Sequence, residues 1–146
     1  MDLELAGKRA IITGGSRGIG KAIARTLAEE GVSIVIASRG RKALESTAEE
    51  LSRETGSSII GVVADTGSDD SVQNLISEAK NNLSGVDILV NSAARPGGQS
   101  AVPTLSEITT DEFNDHMNVK VMGYLRCARE VAPLMAKQRW GRIINI

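Results

Sequence analysis

Short apolar runs alternate with segments of helical periodicity along the chain. Lys8 to Thr13 is a β-rich run, and Ile19, Ala22, Ile23 and Leu27 then recur at helical spacing until Gly31 supplies a stop. Val32 to Ser38 is almost continuously apolar, the pattern of a strand buried on both faces. Leu44, Ala48 and Leu51 make the next helical stripe, and Ser58 to Ala64 the third strand. Ser68 or Asp69 can cap a helix with Val72, Leu75, Ile76 and Ala79 on its inner face. Val86 to Asn91 is a fourth strand, followed by a loop with Pro96-Gly97-Gly98 and Pro103. Thr109 and Glu112 form the ends of a capping box that opens a long helix, Thr110 to Gln138. Its expected inner stripe is Phe113, Met117, Val121, Leu125, Ala128, Ala132 and Met135, and Pro133 is expected to kink it. Lys120, Arg126, Arg129 and Glu130 read as its solvated outer face, and Arg142 to Ile146 begins a fifth strand.

Strands alternating with helices imply parallel βαβ units with right-handed crossovers. The expected fold is one α/β domain over residues 1–146, a doubly wound sheet of Rossmann type with strand order 3-2-1-4-5. Ligands then bind at the carboxyl ends of the strands, at the switch point between strands one and four.

Composition narrows the function classes. The chain has 146 residues, 41% hydrophobic and only 2% aromatic, so its core is aliphatic. Seventeen basic residues against eighteen acidic ones give no footprint for nucleic acid or a membrane surface. Cys127 is the single cysteine, which suits a reducing compartment, and no apolar run reaches spanning length. A cytoplasmic location is expected. His116, the one histidine, has no ligand-spaced companions, so no metal role is expected.

The chemistry concentrates in Thr13-Gly14-Gly15-Ser16-Arg17-Gly18-Ile19-Gly20, between the first strand and the first helix. Gly14 permits a tight turn, Gly18 lets an anion approach the backbone, and Gly20 lets the helix pack close to the sheet. The helix N-terminus adds unpaired N–H groups and the positive end of a dipole. The spacing is Gly-x-x-x-Gly-x-Gly rather than the general Gly-x-Gly-x-x-Gly. Together with the preceding threonine it resembles the nucleotide loop of the short-chain dehydrogenase/reductase family, and of its 3-oxoacyl-carrier-protein reductase-like members in particular.

That resemblance implies a dinucleotide cofactor. An acidic residue at the end of the second strand accepts from an adenosine 2′-hydroxyl, whereas arginine accommodates a 2′-phosphate. Here that strand ends in Ser38-Arg39 with no carboxylate, and Arg17 lies in the glycine loop. Two guanidiniums and a hydroxyl suit a dianionic phosphate, so NADP(H) is expected over NAD(H). By resemblance Asp65 contacts the adenine amino group, with Thr66 beside it, and Asn91-Ser92-Ala93-Ala94 matches the family's Asn-Asn-Ala-Gly with two departures. The expected cofactor-binding residues are Gly14, Ser16, Arg17, Gly18, Ile19, Gly20, Ser38, Arg39, Asp65, Thr66, Asn91, Ala93 and Ala94. Asn91 reads more as a strand-binding residue than as a chemical group.

Asn118 matches the asparagine of the family's Asn-Ser-Tyr-Lys tetrad, with a helix distortion and a proton relay implied for it. The tetrad's serine and Tyr-x-x-x-Lys pair do not occur in the sequence: Gly141 to Ile146 matches the run-up to that serine. Tyr124, the one tyrosine, is followed four positions on by Ala128 rather than lysine, and reads as a packing residue. These residues are therefore expected to form the cofactor-binding part of a longer polypeptide. The resemblance implies a reductase that passes a hydride between nicotinamide and a small carbonyl or alcohol substrate, as a homodimer or homotetramer built on the long helix. The competing reading is a non-catalytic nucleotide-binding module that keeps the glycine loop without the chemistry.

Overall fold

The computed structural model describes residues 3–95 and 103–146. Five parallel strands, β1 (Arg9–Thr13), β2 (Ser33–Ser38), β3 (Ile59–Val63), β4 (Ile88–Asn91) and β5 (Arg142–Asn145), stand in the order β3-β2-β1-β4-β5. This is the expected doubly wound order, with β1 paired to β2 through Ile11 and Val35 and to β4 through Ile11 and Leu89.

Period-two alternation sends successive side chains of β1 to opposite layers. Ile11, Val35 and Leu89 meet α3 (Asp69–Leu83) and α5 (Gly123–Gln138), which contribute Val72, Leu75, Cys127 and Val131. Ala10, Ile12, Ile34 and Ile88 meet α1 (Gly18–Glu29) and α2 (Arg41–Thr55), which contribute Ala24, Ala28, Leu44 and Leu51. Strands buried on both sides explain the near-continuous apolar runs. At the amino ends of the strands, the Arg9 guanidinium grips Asp87 with Nε to Oδ2 at 2.7 Å and Nη2 to Oδ1 at 2.9 Å.

Helix signals hold at α2 and α3, whose predicted stripes are buried, and Ser68 caps α3 by accepting from the Ser71 amide. Two helices differ from expectation. In α1 the sheet-facing residues are Gly20, Ala24 and Ala28, whereas Ile19 is 62% exposed. The helix lies so close that a Cβ on Gly20 would stand 2.4 Å from the Gly14 carbonyl oxygen, which selects small residues for that face.

The long helix is a composite of α4 (Thr110–Met117), a π turn (Asn118–Met122) and α5. Its start carries the expected Thr109–Glu112 capping box. Its inner row, however, is Gly123, Cys127, Val131 and Met135, while Phe113, Met117, Val121 and Leu125 are 57%, 40%, 50% and 53% exposed. Ala132 is exposed too, so of the expected stripe only Met135 is buried, with Ala128 half-buried. The extra residue of the π turn rotates the phase of the helix, which a uniform 3.6-residue reading cannot anticipate. Pro133 lies inside α5, which continues to Gln138. The loop expected around Pro96-Gly97-Gly98 lies outside the described residues.

Arg126 is a further correction. Expected among solvated charges, its side chain is only 12% exposed. It donates to the Asn118 carbonyl at 2.9 Å, to Asn118 Oδ1 at 2.7 Å and to the Thr66 carbonyl at 3.1 Å, and it pairs with Asp69. The paired guanidinium holds the Asp69 carboxyl below its usual range. A side chain that satisfies π-turn acceptors has no reason to be in water.

Candidate functional site

The carboxyl ends of β1, β2 and β4 are tied together by the residues that follow them. Thr13 Oγ1 accepts from the Ser92 and Ala93 amides at 3.1 and 3.2 Å, and the Gly14 amide donates to the Ala37 carbonyl at 2.8 Å. Gly14 has φ +70°, and a Cβ there would meet the Ser92 carbonyl oxygen at 2.7 Å, so both conformation and space require glycine. Thr47 Oγ1 on α2 donates to the Ser16 carbonyl at 3.0 Å and fixes the middle of the loop. Gly18 has φ +54°, and a Cβ on it would meet nothing within 4 Å, which leaves its backbone open at the start of α1.

Two adjoining cavities lie on either side of this loop, of about 270 and 520 Å³. Gly14, Arg17 and Ala94 belong to both, so together they form one trough across the strand ends. The first cavity gathers Ser16, Ser38, Arg39, Asp65, Thr66 and Ala93, with Val119 facing them. Ser38 Oγ is buried there without a hydrogen-bond partner among the described residues. The Asp65 carboxylate accepts from the Gly67 amide at 2.8 Å, and Thr66 Oγ1 donates to the Val119 carbonyl at 2.9 Å. The second cavity gathers Gly18, Ile19 and Gly20 with Ser92, Arg95, Lys120, Tyr124 and Ile146. Tyr124 donates its hydroxyl to the Ile146 carbonyl at 2.8 Å, and burial pushes its phenol above the ordinary value, which keeps the donor protonated.

Two residues expected at the site line neither cavity. Asn91 is fully buried and donates to Asn145 Oδ1 at 2.9 Å, joining the ends of β4 and β5. Asn118 donates to the Gly67 carbonyl at 3.1 Å and accepts from Arg126, so its amide faces the β3–α3 connection. Conversely, Val119, Lys120 and Arg95 line the trough without having been singled out from the sequence as site residues. Nothing in the order of residues reveals which side chains a π turn will aim inward.

A glycine-rich turn into a helix, a trough across the strand ends and a doubly wound parallel sheet define a dinucleotide-binding class of α/β protein. The family profile described as short chain dehydrogenase matches residues 8–146, and the chain belongs to that family. The 3-oxoacyl-[acyl-carrier-protein] reductase of Aquifex aeolicus (strain VF5) is 32% identical over all of this chain and 57% of its own length. The L-sorbose reductase of Gluconobacter frateurii, solved with NADPH and L-sorbose, superposes with a TM-score of 0.90 at 33% identity, covering 99% of this chain and 54% of that one. A xylitol dehydrogenase solved with NAD+ superposes with a TM-score of 0.87 at 30% identity, covering 97% of this chain and 53% of that one. The chain thus spans a little over half the length of the relatives it matches.

Proposed function

We propose that this chain is the cofactor-binding part of an NADP(H)-dependent short-chain dehydrogenase/reductase acting on a small carbonyl or alcohol substrate. The observation that carries the cofactor choice is the end of β2. Ser38, which lines the first cavity, keeps a buried hydroxyl oxygen without a partner among the described residues, and Arg39 and Arg17 line the same cavity. A buried polar atom left unpaired costs stability unless a ligand satisfies it. A 2′-phosphate would satisfy it and take charge-assisted bonds from both guanidiniums.

The remaining residues fit the rest of the molecule. Asp65 has carboxylate capacity left for an adenine amino group after its bond to Gly67. The amides opening α1 suit a pyrophosphate, and the absent side chain of Gly18 leaves them accessible. When bound, the nicotinamide ring exchanges a hydride with the carbon of the carbonyl or alcohol. The chain's own part would be to hold the dinucleotide along the trough, while the Asn91–Asn145 bond keeps the ends of β4 and β5 aligned. The exposed row Phe113, Met117, Val121 and Leu125 is the face we assign to a second copy in a homo-oligomer.

Arg39→Ala in the full-length protein tests the cofactor choice. NADPH should bind roughly tenfold or more weakly, as expected for a lost charge-assisted bond, and NADH about as before. Equal losses for both would remove the 2′-phosphate assignment.

A further inference from the structure

The π turn hands consecutive side chains to the two halves of the trough: Val119 lines the first cavity and Lys120 the second. Asn118, one residue earlier, is spent elsewhere. Its amide nitrogen donates to the Gly67 carbonyl at 3.1 Å and its Oδ1 accepts from Arg126 at 2.7 Å, so both polar atoms of the side chain are committed away from the trough.

Lys120 is placed for the opposite role. Its Nζ stands 5.8 Å from the centroid of the Tyr124 ring, whose hydroxyl is fixed to the Ile146 carbonyl at the end of β5. Among the described residues lining the second cavity there is no carboxylate side chain, and the Arg95 guanidinium is already paired with Asp115 at 2.5 Å. Among the described residues Lys120 makes no ion pair at all. An ammonium group has three donors, and Lys120 lines a cavity shared with the glycine loop, Ser92 and Ile146.

We propose that Lys120, rather than Asn118, is the polar group that the long helix presents to the reacting end of the trough, where its ammonium donates to oxygen atoms of the cofactor's nicotinamide half. The assignment rests on the dinucleotide reading and adds a contact to it. With the adenine half in the first cavity and the pyrophosphate at the glycine loop, the second cavity receives the other half. Lys120 is then a contact residue for that half only, while Asn118 with Arg126 holds the shape of the π turn.

Calorimetric titration of the full-length protein with NADPH and with adenosine 2′,5′-bisphosphate, which lacks the nicotinamide half, separates these roles. Lys120→Met should weaken NADPH about tenfold and leave the bisphosphate unchanged, and Lys120→Arg should restore most of the loss. Lys120→Met binding NADPH like wild type, or losing both ligands equally, would overturn the assignment to Lys120. So would an NADPH-selective loss in Asn118→Ala that Lys120→Met does not show. Wild type that binds neither ligand would overturn the dinucleotide reading itself, an outcome distinct from failure of Lys120 alone.

Discussion

Replacing Gly20 by alanine perturbs the site at its tightest point. The added Cβ would lie 2.4 Å from the Gly14 carbonyl oxygen, 2.8 Å from the Gly14 carbonyl carbon and 3.2 Å from the Gly15 Cα. All three are backbone atoms of the glycine loop, so no flexible side chain can yield. Restoring an ordinary contact of about 3.4 Å requires the loop and the helix start to separate by about 1 Å. Alanine recovers up to about 1 kcal/mol of helix propensity, but overpacking costs typically 1–3 kcal/mol and a clash with backbone falls at the upper end, so stability falls by about 2 kcal/mol. The same displacement moves the amides that face the trough, and NADPH affinity should fall by roughly tenfold or more. Gly56→Ala is the control: Gly56 ends α2 at φ +71° with open space around it, so it costs about 1–2 kcal/mol of left-handed strain and leaves the trough untouched. Urea unfolding and NADPH titration of both full-length variants should show two destabilised proteins, of which only Gly20→Ala binds poorly. Gly20→Ala that binds NADPH like wild type would refute the claim that this close approach shapes the site.

Two further outcomes follow from charged and ionisable groups. The Arg9 guanidinium holds the Asp87 carboxyl below its ordinary range, so that stabilisation is fully present above about pH 4 and is lost as pH falls through the depressed value. Acid titration of unfolding should therefore be shallower in Asp87→Asn than in wild type; identical acid limbs would contradict the pairing. Burial pushes the Cys127 thiol up to about 11, so a disulfide reagent at pH 8 should label it only as fast as the protein opens, with rapid labelling once urea unfolds it.

Much of this architecture is written in local pattern. Strands such as Ile34 to Ala37, buried on both faces, have to be apolar at nearly every position, and glycines at Gly14 and Gly20 are demanded by contacts that no other residue fits. The strand order is legible for those reasons, and Ser16, Ser38, Arg39, Asp65 and Thr66 of the first cavity are legible only through the resemblance at the glycine loop and strand ends. The long helix could not. Its most apolar row, Phe113 to Leu125, is the exposed one, and the row against the sheet begins at Gly123, a position without a side chain because the Thr66 Cβ lies 2.9 Å from where one would start. Arg126 reads as surface charge in the sequence because its partners, Asn118, Thr66 and Asp69, come together only in three dimensions. Lys120 and Val119 are hidden there by the π turn that aims them.

In the function proposed above, the trough holds a dinucleotide carrying a 2′-phosphate beside Ser38, Arg39 and Arg17. Its most direct test is the pair of dissociation constants of the full-length protein for NADPH and NADH, measured in one buffer. NADPH should bind about tenfold or more tightly, because two guanidiniums line the first cavity and no carboxylate stands at the end of β2. Equal affinities, or a preference for NADH, would contradict it.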